Sequence, residues 1–94
     1  MLQERGTAVA VVLRRKVLER EDFGLCVLLP KTAWQDAAEP GSACSALVNG
    51  DRRRLRVLSE DCDCRGIGLH EHRFLALPRA AGLTPGQRCT IELR

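Results

Sequence analysis

The chain has 94 residues, 45% hydrophobic and 29% charged, with 15 Lys or Arg against 12 Asp or Glu and a net charge of +3. That length makes a single domain, residues 1–94, burying roughly two-thirds of its unfolded surface around one modest core. The composition excludes a disordered chain, and the N-terminal apolar run Ala8–Leu13 is far shorter than the ~20 residues a membrane-spanning helix needs.

In chain order, Ala8–Leu13 is a continuous, β-branched apolar run that suits a buried strand. Arg14, Arg15 and Lys16 follow it directly and no small-residue cleavage site appears. A cytoplasmic protein without a secretory leader is therefore expected. The charged stretch Arg14–Asp22 reads as a solvated turn or loop. Phe23–Leu29 is a second apolar strand, stopped by Pro30, and Lys31–Ala38 forms one or two helical turns. Ala43–Val48 is a third strand. Asn49-Gly50 then predicts a tight type I′ hairpin returning along Arg52–Leu58, where Leu55 and Val57 alternate with Arg54 and Arg56. Ser59–Gly68 reads as irregular, His72–Leu77 as a strand ended by Pro78, and Ala80–Leu83 as a single helical turn. Thr84-Pro85-Gly86 is a turn, and Arg88–Leu93 is the last strand.

Two stretches of this series match. Leu25-Cys-Val-Leu-Leu-Pro30-Lys31 and the later Pro40-Gly41 with Cys44 correspond to Arg73-Phe-Leu-Ala-Leu-Pro78-Arg79 and Pro85-Gly86 with Cys89. Pro40 to Pro85 and Cys44 to Cys89 share an offset of 45 residues. One strand–turn–strand unit cannot bury both faces of its strands, whereas two related by a pseudo-twofold close around a shared core. The expected fold is mainly β: a small pseudo-twofold-symmetric β-barrel of about six strands with one or two short helical turns.

Phe74–Leu93, with Leu77-Pro78-Arg79 and Gly82-Leu83-Thr84-Pro85-Gly86, resembles the ending of AbrB- and MazE-type DNA-binding domains. The wider span Phe23–Leu93, with Val48-Asn49-Gly50, is similar to the YdeI/OmpD-associated domain of unknown function. These resemblances imply a small pseudo-symmetric barrel and, from the first family, DNA as a partner. Asp61–Gly66 and the Arg52–Arg56 spacing also resemble the two short motifs of PilZ domains, which implies a cyclic-dinucleotide ligand as an alternative.

The residues themselves offer two sites. Arg52, Arg53, Arg54, Arg56 and Arg65 form a candidate patch for DNA or another polyanion. The few aromatic residues, Phe23, Trp34 and Phe74, read as core, which leaves no base-stacking platform. Cys62, Cys64, His70 and His72 make up a Cys₂His₂ zinc inventory as the lesser alternative. Extended residues two apart lie about 6.8 Å from one another, too wide for two sulfurs on one relaxed zinc, so no metal or other cofactor is expected. The odd count of five cysteines argues against a disulfide framework, and Cys26, Cys44 and Cys89 fall in apolar segments. With no nucleophile motif, no phosphate-cradling glycine loop and no Tyr, the chain reads as a non-catalytic binding or regulatory module, homodimeric, with no membrane partner.

Overall fold

A computed structural model describes residues 11–62 and 68–94. Seven antiparallel strands lie in the order β1-β7-β4-β5-β6-β3-β2. They are β1 (Val11–Lys16), β2 (Leu18–Arg20), β3 (Gly24–Leu29), β4 (Ala43–Val48), β5 (Asp51–Cys62), β6 (His70–Ala76) and β7 (Arg88–Leu93). Short 3₁₀ turns cover Lys31–Asp36 and Arg79–Ala81. The mainly β, barrel-like architecture expected from the sequence is thus present.

Several boundaries differ from expectation, among them the start of β6 at His70 rather than His72. The charged stretch 14–22 is not a loop: residues 14–16 complete β1 and 18–20 form β2. Residues 59–62 continue β5 rather than turning irregular, and the second helical turn lies at 79–81. The barrel therefore has seven strands rather than six. The cause is the same in both strand cases. Neighbouring strands supply the ladder for these residues, and their charged side chains stay at least partly solvated on either face. The expected start of the first strand, residues 8–10, falls outside the described residues.

β1 and β2 are the two ends of the strand order, yet only Val17 separates them in the chain. β1 pairs with β7 and β2 with β3, so the continuous run 11–20 ties the two edges of the curled sheet together. β5 does the same on the opposite side: residues 51–56 pair with β4 and residues 57–62 with β6. Val17 and Val57 are the pivots of these two long runs. The Val57 N–H donates to the Ser42 carbonyl (2.8 Å), and its own carbonyl accepts from the Gly41 N–H (2.8 Å). The Val17 N–H donates to the Gln87 carbonyl (2.7 Å), and its carbonyl accepts from the Gly86 N–H (2.8 Å).

Gly41 and Gly86 carry φ of 91° and 89°, a left-handed backbone that glycine adopts without strain. Val27 faces Leu75 in the β3–β6 ladder, each two residues before the leucine of its Leu-Pro. Leu47 faces Glu92 in the β4–β7 ladder, each three residues after its cysteine. Residues at matching positions of the two sequence stretches thus face each other in both ladders.

The core is filled from β3 to β7 and from Val17 between β1 and β2: Val17, Val27, Leu29, Ala46, Val48, Leu55, Val57, Leu75, Cys89, Ile91 and Leu93 are all buried, and Val11 and Leu13 of β1 pack against them half-buried. Ala33 and Leu83 plug it from the two connecting segments, and Cys44 packs against it half-buried. A smaller apolar cluster lies on the other face of β3 and β6. There Phe23 stacks on buried Phe74 with ring centroids 5.5 Å apart. The Arg20 guanidinium covers Phe74 at 4.9 Å from its centroid and pairs with Glu60.

Candidate functional site

The β4–β5 hairpin turns at Asn49 (φ 51°) and Gly50 (φ 90°), both left-handed, as a type I′ turn demands. Its tip is docked onto the neighbouring strand. The Asn49 N–H donates to the Thr90 carbonyl (2.8 Å), and the Asn49 Oδ1 accepts from the Thr90 N–H (2.9 Å). Because side chains alternate along a strand, fixing this tip fixes which residues of β5 face outward. Leu55 and Val57 are buried, and Arg52, Arg54 and Arg56 are exposed. Arg56 donates from Nη1 to the Gly41 carbonyl (2.9 Å).

Arg53 does not belong to that row. It has the parity of Leu55 and is half-buried, and its Nη2 donates to the Ala80 carbonyl at 3.4 Å. Its Nε is buried with no hydrogen-bond partner among the described residues. Arg65 and Cys64 lie outside the described residues.

The same outer face extends across β4, β7 and β1. Register places Arg14 opposite Thr90, Lys16 opposite Arg88, and Arg54 opposite Ser45, whose carbonyl accepts from the Arg94 N–H (3.3 Å). Arg14, Lys16, Arg52, Arg54, Arg56, Arg88 and Arg94 are all exposed, and each has the outward parity of its strand. The acidic residue among them is Glu92, which pairs with Arg94 at 2.8 Å. Arg14, Lys16, Arg88 and Arg94 were not singled out from the sequence. Their signal is the alternation Val12-Arg14-Lys16 and Arg88-Thr90-Glu92-Arg94, which becomes legible only once residues 14–16 are read as strand.

Two grooves of about 460 Å³ open at the ends of β3 and β6. One holds Leu29, Lys31, Trp34, His72 and Arg73, the other Phe23, Gly24, Leu25, Leu77 and Arg79. Lys31 and Arg79, one in each groove, both follow a Leu-Pro. In the first, the Trp34 indole N–H donates to the Leu29 carbonyl (3.0 Å) and the Arg73 guanidinium lies 4.1 Å from the Trp34 ring centroid. Arg73 also donates to Glu71 (2.9 Å), which accepts from Ser59 Oγ (2.6 Å). These two donors, Arg73 foremost, hold the Glu71 carboxyl below its usual range.

No family model matches the chain, and no curated protein or solved structure matches it.

The Cys–His residues meet at the far end of the β5–β6 ladder. Cys62, the last residue of β5, is the register partner of His70, the first of β6, and His72 is opposite Glu60. Cys62, His70 and His72 therefore share the outer side of the ladder, and all three are half-buried. One donor atom from each lies within 4.8 Å of the others. Of the remaining thiols, Cys26 and Cys89 are buried, and burial pushes both up from the ordinary thiol range.

Proposed function

We propose that this chain is a non-catalytic module that lays the outer face of β1, β7, β4 and β5 against the phosphate backbone of duplex DNA. The observation that carries the reading is the charge of that face: seven exposed Arg or Lys side chains in outward register, with Glu92 as the acidic residue among them. Outward neighbours on one strand are about 6.8 Å apart, close to twice the ~3.4 Å axial rise per phosphate of one DNA strand. Arg52, Arg54 and Arg56 can thus each meet a different phosphate. Guanidinium groups suit this task because their planar fork grips two phosphate oxygens at once. The aromatic side chains are engaged elsewhere, Trp34 with Arg73 and Phe74 with Phe23 and Arg20, so sequence-independent binding is the natural mode. The resemblance of Phe74–Leu93 to AbrB- and MazE-type endings favours the same ligand class, and the two matched halves support an origin by duplication of one strand–turn–strand unit.

The test is anisotropy with a labelled duplex over a salt series. Affinity should fall steeply with salt, and replacing Arg52, Arg54 and Arg56 together with Ala should reduce the slope by about 2.7, at ~0.9 per phosphate. The fold should persist in that variant, since the three side chains are exposed. Absence of binding at low salt, or an unchanged slope in the triple variant, rejects the reading.

A further inference from the structure

We propose that Cys62, His70 and His72 supply three ligands, all among the described residues, of a zinc site at the end of the β5–β6 ladder, independent of the basic face. Two cysteines two residues apart in extended chain sit too far apart for one relaxed zinc, whereas ligands drawn from two paired strands are not so limited. Register puts Cys62 and His70 opposite each other, where facing side chains start about 5 Å apart. His72 lies two residues along on the same side, and a long imidazole side chain closes the gap that two short thiol side chains cannot. The His70 and His72 ring centroids are 4.7 Å apart, with the rings at 77° to each other. The sulfur and one nitrogen from each ring already lie within 4.8 Å of one another. Zinc bonds of about 2.3 Å to sulfur and ~2.0 Å to nitrogen bring such atoms closer by about 1 Å, a shift that side-chain torsions supply.

The donor set selects the metal. One thiolate and two imidazoles suit zinc or another borderline-to-soft ion, and they disfavour magnesium and calcium, which take oxygen ligands. The neighbouring carboxylate, Glu60, is held by Arg20. The His70 Nδ1 lies 3.5 Å from the Gly68 carbonyl. Tetrahedral zinc takes a fourth ligand beyond these three, and His70 and His72 also line the Trp34 groove, through which an outside donor could reach it. Bound zinc would join the last residue of β5 to the first residue of β6.

The experiment titrates the reduced full chain with cobalt(II) and then displaces it with zinc, following the sulfur-to-cobalt charge-transfer band. One ion per chain is expected, with the band lost in Cys62→Ser and kept in Cys44→Ser. His70→Ala and His72→Ala should each weaken binding by at least about tenfold, since removing even an outer-shell partner costs that much. Zinc should also slow thiol labelling of Cys62 and raise Tm in the parent and not in Cys62→Ser, which separates a lost site from a lost fold. No stoichiometric binding in the parent, or a cobalt band that survives Cys62→Ser, overturns the proposal.

Discussion

Val17→Ala and Val57→Ala should destabilise the protein by nearly the same amount. Val17 is 1% exposed and Val57 0% exposed, and each is gripped by two backbone hydrogen bonds from a Pro-Gly turn. Either substitution removes two buried carbons. At about 0.8 kcal/mol each the transfer loss is ~1.6 kcal/mol, and incomplete collapse of the space left behind brings it to about 2–3 kcal/mol. With a urea m-value near 1 kcal/mol/M, the low end for small domains, the unfolding midpoint should fall by about 2–3 M in each variant. Val12→Ala is the control. It stands on the outer face at 54% exposure and should stay within about 0.5 kcal/mol of the parent. Equilibrium urea unfolding followed by far-UV circular dichroism measures all three. If Val57→Ala loses the full amount and Val17→Ala loses about as little as the control, the run 11–20 does not close the sheet and the equivalence of the two pivots is wrong.

Gly50→Ala should cost about 1–2 kcal/mol although a Cβ there meets nothing within 4 Å, because φ of 90° strains any L side chain; an unaffected Tm would reject the type I′ geometry. Among the described cysteines, Cys26 and Cys89 should resist thiol reagents until the chain unfolds, with half-buried Cys44 and Cys62 labelled before them, as peptide mapping of a timed reaction would show. Because burial raises both buried thiols, their contribution to stability is complete below the ordinary thiol pKa and lost as pH climbs through the folded values; an alkaline unfolding limb that does not shift in Cys26→Ala refutes this for Cys26. Glu71 has the opposite sign. Its carboxyl is depressed by Arg73 and Ser59, so its contribution is present above the ordinary Glu range and lost as pH falls through the lowered value. In Glu71→Gln the acid dependence of the urea midpoint should flatten slightly, and curves parallel to the parent would exclude the pairing.

Much of this fold can be read in the sequence because the local signals agree with one another. Pro30, Pro78, Asn49-Gly50 and the two Pro-Gly pairs each forbid or favour one backbone geometry, and each sits at an element boundary. The strands that escape such a reading are Leu18–Arg20 and the far half of β5. Their residues, Leu-Glu-Arg and Ser-Glu-Asp-Cys, have no apolar run, and they are strands because a neighbour supplies the ladder. The sites follow the same division. Arg52, Arg54 and Arg56 are legible from a strand alternating beside a strong turn, whereas Arg53 looks like a fourth member and is turned inward by the same alternation. The convergence of Cys62 with His70 is a matter of register between strands, and spacing along one chain does not encode it.

The pivot at Val17 has a consequence during synthesis. Val11 pairs with Leu93, so the first strand described here finds its partner in the last. Until the final segment has left the ribosome, β1 has no ladder to join, and the side of β4 that receives β7 stands open as well. Emerging chains of this protein must therefore pass through a stage with two adjacent unsatisfied strand edges, one of them beside the cluster of arginines on β5. Like charge on the basic rows would oppose edge-to-edge pairing of two such chains during that interval.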